Sequence, residues 1–155
     1  MPVSGATAIH SEPDTSALDV QPSLAVKRIR SVADAYAVFS RWHEERQEVV
    51  SSAFLNSGMK LLAVREIFRG TVNQSVANPR EILRAALLED AVYLIVAHNH
   101  PSQDPKPSPW DRNFTQRMET AAALVGIPLL DHLIVCRGGR FFSFAQSGQL
   151  CRSKR

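Results

Sequence analysis

Apolar and polar positions recur along the chain with a period that changes, and the changes mark its elements. From Ser31 onward Val32, Ala35, Phe39 and Trp42 recur at spacings of three and four, which predicts an amphipathic helix ending near Arg46. Ser31 and Asp34 give it a capping-box start, in which a hydroxyl and a carboxylate each satisfy a backbone N–H of the first turn. Two apolar runs follow, Val49 to Leu55 and Leu61 to Phe68, with Asn56-Ser57-Gly58 between them. They predict a hairpin in which Gly58 takes the positive φ of the turn. A polar loop, Gly70 to Asn78, leads to a second helix, Pro79 to Asp90. Asn78 caps that helix, Pro79 suits its first turn, and Ile82, Leu83, Ala86 and Leu87 form its buried side.

Ala91 to Ala97 is a continuous apolar run containing several β-branched residues, which predicts a strand buried on both faces. It runs into His98-Asn99-His100-Pro101 and a loop holding Pro101, Pro105 and Pro107. Ser108-Pro109-Trp110-Asp111 opens a third helix with Trp110, Phe114, Met118, Ala121 and Val125 as its apolar stripe, ended by Gly126 and Pro128. Leu129 to Cys136 then reads as a strand, Gly138-Gly139 as a tight turn and Phe141 to Phe144 as the returning strand. The order helix, hairpin, helix, strand, helix, hairpin predicts an α/β fold: one mixed sheet with helices packed against it. Residues 1–24, with Pro2, Gly5, Pro13 and Pro22 and no sustained apolar period, read as a disordered N-terminal tail. Residues 25–150 form the domain, and residues 151–155 a basic C-terminal tail.

Composition narrows the class. With 45% hydrophobic and 21% charged residues among 155, the chain is an ordinary globular domain and not a disordered one. Its two cysteines, Cys136 and Cys151, fit neither a disulfide scaffold nor a four-cysteine zinc site, and their spacing carries no redox or nucleophile motif. The longest apolar run, Ala91 to Ala97, is far short of the roughly 20 residues that span a bilayer. No basic head precedes an apolar stretch at the N-terminus, so the expected location is cytoplasmic, without a membrane partner. The net charge of +3 rests mostly on Lys27 to Arg30 and Arg152 to Arg155. Without interleaved aromatic residues these clusters read as solvated ends and not as a nucleic-acid platform.

Candidate chemistry gathers after the buried strand. His98 and His100 are two apart, so both imidazoles share one face at a strand end and can converge on one ion. Asp111, eleven residues after His100, lies in the first turn of the next helix, where the loop can bring its carboxylate to the same point. Two imidazoles and one carboxylate leave a fourth tetrahedral position open to water, the pattern of a catalytic zinc site. Ser108 and Asp111 also make an ordinary capping box, and the two roles are compatible. His43-Glu44-Glu45 begins like H-E-x-x-H, but Gln47 stands where the second histidine would be. His132 is either a packed strand histidine, the favoured reading, or a partner of the metal ligands; His10 lies in the tail.

The pattern H-x-H-x7-S-x2-D, over His98, His100, Ser108 and Asp111, resembles the JAMM motif of the MPN/JAB-domain zinc metallohydrolases. The run from His98 to Asp111 is similar to the signature of the RadC branch. Similarity continues through Gln47 to Ala145, including Phe68-Arg69-Gly70-Thr71-Val72-Asn73, Pro79-Arg80-Glu81 and Leu130-Asp131-His132-Leu133-Ile134-Val135. The resemblance implies a mixed sheet sandwiched by helices in the MPN/JAB, cytidine deaminase-like architecture. It implies one Zn2+ per chain on His98, His100 and Asp111, and an upstream glutamate acting on water. Of the six glutamates between Glu44 and Glu89, Glu48, at the start of a strand, matches the family position. Ser108 is implied as donor to an oxyanion, beside its reading as a helix cap. Two departures stand out: Gln103 replaces a glycine, which predicts a stiffened loop, and Ser51-Ser52 interrupts an apolar strand, which predicts partial exposure. The implied activity is a zinc metallopeptidase or isopeptidase acting on a peptide or protein. Nucleic-acid binding or processing, associated with the RadC name, and a non-catalytic MPN scaffold are the alternatives; scaffolds of that kind usually lack the ligands retained here.

Overall fold

A computed structural model describes residues 19–20, 28–70 and 78–151. Most of the N-terminal tail with His10, Lys27 of the basic cluster, residues 71–77 of the expected polar loop with Thr71-Val72-Asn73, and residues 152–155 lie outside the described residues. The elements are β1 (Asp19–Val20), α1 (Val32–Phe39), β2 (Glu48–Leu55), β3 (Leu61–Gly70), α2 (Pro79–Leu88), β4 (Tyr93–Asn99), α3 (Pro109–Val125), β5 (Leu129–Val135) and β6 (Phe141–Ser143). The strands form one sheet in the order β1-β3-β2-β4-β5-β6. Only β4 and β5 run parallel, with α3 as the crossover between them, so the sheet is mixed as expected. β1 falls inside the segment expected to be tail: its backbone pairs with Val64 and Arg65 on the open edge of β3, which requires no apolar pattern.

Two apolar cores lie on opposite faces of the sheet. On one, Ile82, Leu83 and Ala86 of α2 and Phe114, Met118 and Ala122 of α3 pack over Val50, Phe54, Leu94, Val96 and Ile134. On the other, Ala35, Val38 and Phe39 of α1 pack with Trp42 over Val49, Ala53, Ile95, Ala97 and Leu133. Alternation along the strands sends even-numbered positions of β2 and β4 toward α2 and α3 and odd-numbered ones toward α1. β5 follows the same rule at Leu133 and Ile134, but at its start, where its pairing with β4 shifts register, Leu129 packs on the α2–α3 side and Leu130 on the α1 side. Both faces of β4 are buried, as its sequence predicts.

Helix ends and faces differ in places from the periodic reading. α1 stops at Phe39, short of Arg46, because Ser40–Trp42 tightens into a 3-10 turn in which Ser40 Oγ donates to the Ala37 carbonyl at 2.9 Å. α2 ends at Leu88, before Asp90, and Leu87 is 58% exposed instead of buried: the sheet is met by a stripe too narrow to include it. On α3 the i+4 ridge through Phe114 and Met118 continues to Ala122, leaving Ala121 partly buried and Val125 exposed. At the β2–β3 turn the left-handed residue is Met59 (φ 62°) and not Gly58, since Asn56 Oδ1 accepts from the Gly58 and Lys60 N–H groups and sets the strained position one residue later. Ser51 and Ser52 are buried, not part-exposed: their hydroxyls donate across the sheet to the carbonyls of Ala97 (3.4 Å) and Ile95 (3.0 Å). Among the described residues no helix is long and apolar enough to cross a membrane.

Candidate metal centre

His98 is the last residue but one of β4, on the α2–α3 face, and His100 follows just past the strand. α3 begins opposite them. Its N-cap is Ser108, whose Oγ accepts from the Asp111 N–H at 3.1 Å while Asp111 Oδ2 accepts from the Ser108 N–H at 2.6 Å. This capping box fixes the Asp111 rotamer and turns its carboxylate toward the histidines. Asp111 Oδ1 lies 3.0 Å from His98 Nε2, and Oδ2 lies 3.3 Å from His100 Nε2. Capping and convergence are thus properties of one side chain. All three donor groups lie within 4.8 Å of one another, close enough to share an ion.

The hydrogen bonds around the cluster suit such an ion. His100 Nδ1 sits 2.7 Å from the Asp104 carbonyl, an acceptor only, so the ring donates there and in its neutral form carries its lone pair on Nε2. That nitrogen faces His98 Nε2 at 3.1 Å. Two imidazole nitrogens, one buried and one half-buried, and a buried carboxylate directed at one point call for positive charge between them. The electrostatics agree. Burial lowers the His100 pKa, but bonds to Asp111 and the Asp104 carbonyl carry it above its ordinary value. Burial also opposes ionisation of Asp111, and the close contacts with His100 and His98 outweigh it, holding the carboxyl well below the usual range. The donor set, N,N,O with a carboxylate, suits a divalent ion of the zinc type.

Glu48 opens β2 on the same face. Val50 pairs with His98, so Glu48, two residues earlier, projects beside the cluster, its Oε1 3.9 Å from His98 Nε2. Burial raises its pKa above the ordinary carboxylate value, against the opposing pull of His98 and His100. Glu48, Ser108 and Asp111 line a cavity of about 310 Å³ with His100, Pro101 and Trp110. Trp110 is braced by a parallel stack on Phe114, with ring centroids 5.2 Å apart.

Three partners of the centre leave little trace in the pattern of residues. Asn99, whose side chain points away from the cluster, accepts from the Val49 N–H at 2.7 Å and donates to the carbonyls of Glu45 and Gln47, clamping the backbone on both sides of Glu48. His132 is packed, as favoured, but it also touches His98. Its Nε2 lies 2.8 Å from His98 Nδ1, its Nδ1 lies 2.6 Å from Thr115 Oγ1, and its ring stacks on Phe144. Burial, with His98 adding to it, holds its pKa well below the ordinary imidazole value. A polar residue at a strand position facing the core was the available signal for His132; Thr115 and Asn99 offered none. His43 stands apart, its ring against the Tyr36 hydroxyl at 3.2 Å. Cys136 is buried with its thiol pushed up by burial, and Cys151 is exposed and unpaired.

A mixed sheet flanked by helices on both faces, with a His-x-His strand end set against an aspartate in a helix cap, defines a domain of the JAB/MPN class. Residues 29–149 match the family model of the RadC-like JAB domain, and the chain belongs to that family. A UPF0758 protein of Thiobacillus denitrificans is 41% identical over 136 residues, 88% of this chain and 59% of its own length. Another, from Stenotrophomonas maltophilia, is 43% identical over 110 residues, 71% of this chain and 47% of its own. A third, from Vibrio cholerae, is 46% identical over 103 residues, 66% of this chain and 64% of its own. In each case the match spans less than two thirds of the relative.

Proposed function

We propose that the domain is a zinc-dependent hydrolase that cleaves an amide bond of a peptide or protein in the cytoplasm. His98, His100 and Asp111 would hold one zinc ion per chain. The observation that carries this reading is the convergence of those three groups within 4.8 Å, with the Glu48 carboxylate beside them and a cavity opening onto both. When bound, zinc supplies Lewis acidity, bringing the pKa of water to about 7 and polarising a carbonyl.

The side chains do the rest. Glu48 takes a proton from the attacking water and returns it to the leaving amine; its burial raises its affinity for that proton without removing it from the cavity. Asn99 holds the backbone around Glu48 so that the carboxylate stays in reach. Ser108 Oγ uses a lone pair to cap Asp111, which leaves its O–H free to donate to the oxyanion of the tetrahedral intermediate. Trp110 walls the cavity and limits water around the scissile bond.

Metal analysis of the purified protein, followed by cleavage of a peptide library, tests the proposal. The wild-type chain is expected to carry one zinc, and His98→Ala and Asp111→Ala to lose it. Glu48→Gln is expected to keep the zinc and lose hydrolysis by roughly 10²–10⁴-fold. Full zinc content in Asp111→Ala would refute the ligand assignment, and undiminished cleavage by Glu48→Gln would refute the proton-transfer role.

A further inference from the structure

The hydrogen bonds that begin at His98 continue through the domain and return to the cluster. His98 Nδ1 meets His132 Nε2 at 2.8 Å, His132 Nδ1 meets Thr115 Oγ1 at 2.6 Å, and Thr115 Oγ1 donates to the backbone carbonyl of Asp111 at 2.6 Å. The chain of contacts starts on one member of the cluster and ends on the main chain of another, passing from β4 through β5 to α3. All of it is buried: His132 is fully enclosed and Thr115 is 2% exposed.

The direction of the chain follows from its far end. A carbonyl has no proton to give, so the hydrogen in the Thr115–Asp111 contact is the threonine's own. With that proton committed, Thr115 Oγ1 can only accept from His132, so His132 Nδ1 carries a hydrogen. The ring is fully buried between Thr115, His98, Phe114 and Phe144, surroundings that favour the uncharged form, so Nε2 has a lone pair and the hydrogen completing the next contact sits on His98 Nδ1. His98 Nε2 is left bare and directed at Asp111 and His100. An opposite demand acts on the same ring: the Asp111 carboxylate, 3.0 Å from His98 Nε2, attracts a proton to the nitrogen a metal ion would need.

We propose that Thr115 and His132 are positioning residues that lock His98 in its Nδ1–H tautomer, and so decide whether the cluster can take up a metal ion although neither residue touches it. The proposal rests on the reading of His98, His100 and Asp111 as a metal centre. Without the threonine hydroxyl, His132 Nδ1–H would face a methyl group. The pair of imidazoles then inverts, with His132 Nε2–H donating to His98 Nδ1, and His98 Nε2–H donating to Asp111.

The test compares Thr115→Val, nearly the same shape without a hydroxyl, with Thr115→Ser, which keeps it. Zinc affinity is measured by chelator competition, and the proton positions on His98 by long-range proton–nitrogen NMR of the metal-free protein in mildly alkaline buffer. Thr115→Val is expected to weaken zinc binding by roughly 10- to 100-fold and to move the His98 proton to Nε2. Thr115→Ser is expected to bind like the wild type. A purely packing role would lower thermal stability and leave the tautomer unmoved. The proposal is overturned if Thr115→Val binds zinc as tightly as the wild type, or if His98 of the wild-type protein carries a proton on Nε2; the second measurement needs no variant to fold. Failure of the wild-type chain to bind zinc at all would instead overturn the metal-centre reading.

Discussion

Gln103 occupies a backbone conformation, φ 63°, that explains why glycine suits this loop position. Left-handed φ costs a residue with a Cβ roughly 1–2 kcal/mol. Its side chain offsets that cost: Nε2 donates to the His43 carbonyl at 3.1 Å and Oε1 accepts from the Arg137 N–H at 2.7 Å, joining the loop after His100 to two distant segments. The stiffening expected from the sequence has a specific form, a side chain bonded at both ends. Gln103→Ala keeps the strain and loses both bonds, whereas Gln103→Gly loses the bonds and releases the strain. In urea denaturation the glycine variant is expected to be more stable than the alanine variant by about 1 kcal/mol, with the wild type above both. Equal stability of the two variants would show that the left-handed conformation carries no cost here. At this scale the convergence of His98, His100 and Asp111 was legible, because a two-residue spacing at the end of a buried strand and a helix-start motif are local signals. Thr115, His132 and Asn99 act across elements distant in sequence, and such contacts impose no spacing on the chain.

Elements bring the centre together through their ends. The end of β4 and the residue just past it deliver two histidines, the first turn of α3 delivers an aspartate already oriented by its cap, and β2 delivers Glu48 at its first residue. A strand's first residue is easily displaced, and Asn99 counters this by bonding the Val49 N–H and the Gln47 and Glu45 carbonyls. Asn99→Ala leaves the buried Val49 N–H without its partner and frees the segment carrying Glu48. The expected result is a stability loss of about 1–3 kcal/mol and reduced hydrolysis, with zinc content unchanged, checked by denaturation, cleavage assay and metal analysis. Loss of zinc together with activity would instead assign Asn99 to the ligands. Element order and most boundaries were readable from periodicity, since each run alternates at its own period. Which side of α2 and α3 meets the sheet was less readable. Leu87 and Ala122 have equal claims on a helical stripe until the neighbouring strands choose, and Ser51-Ser52 look exposed until the β4 carbonyls that accept from them are known.

For the molecule as a whole, the question is whether the metal makes the fold or the fold makes the metal site. Apolar clusters on both sheet faces, each closed by helices, supply a core that does not depend on an ion. Each donor is also held by a bond of its own: Asp111 by the Ser108 cap, His100 by the Asp104 carbonyl and His98 by His132. Little remains for the ion to organise, in contrast to small zinc domains that unfold without metal. The chelator-treated protein is therefore expected to stay folded and to melt in one cooperative transition followed by circular dichroism. Binding to the folded state alone adds about 2.7 kcal/mol when free zinc stands at 100 times its dissociation constant. For a chain of this size that is a rise in Tm of roughly 5–10 °C. His98→Ala removes a donor and should abolish the rise while keeping the metal-free transition. A chelated protein without cooperative unfolding would mean that the ion builds the fold. An unchanged Tm on zinc addition would mean that the three converging side chains hold no ion at all.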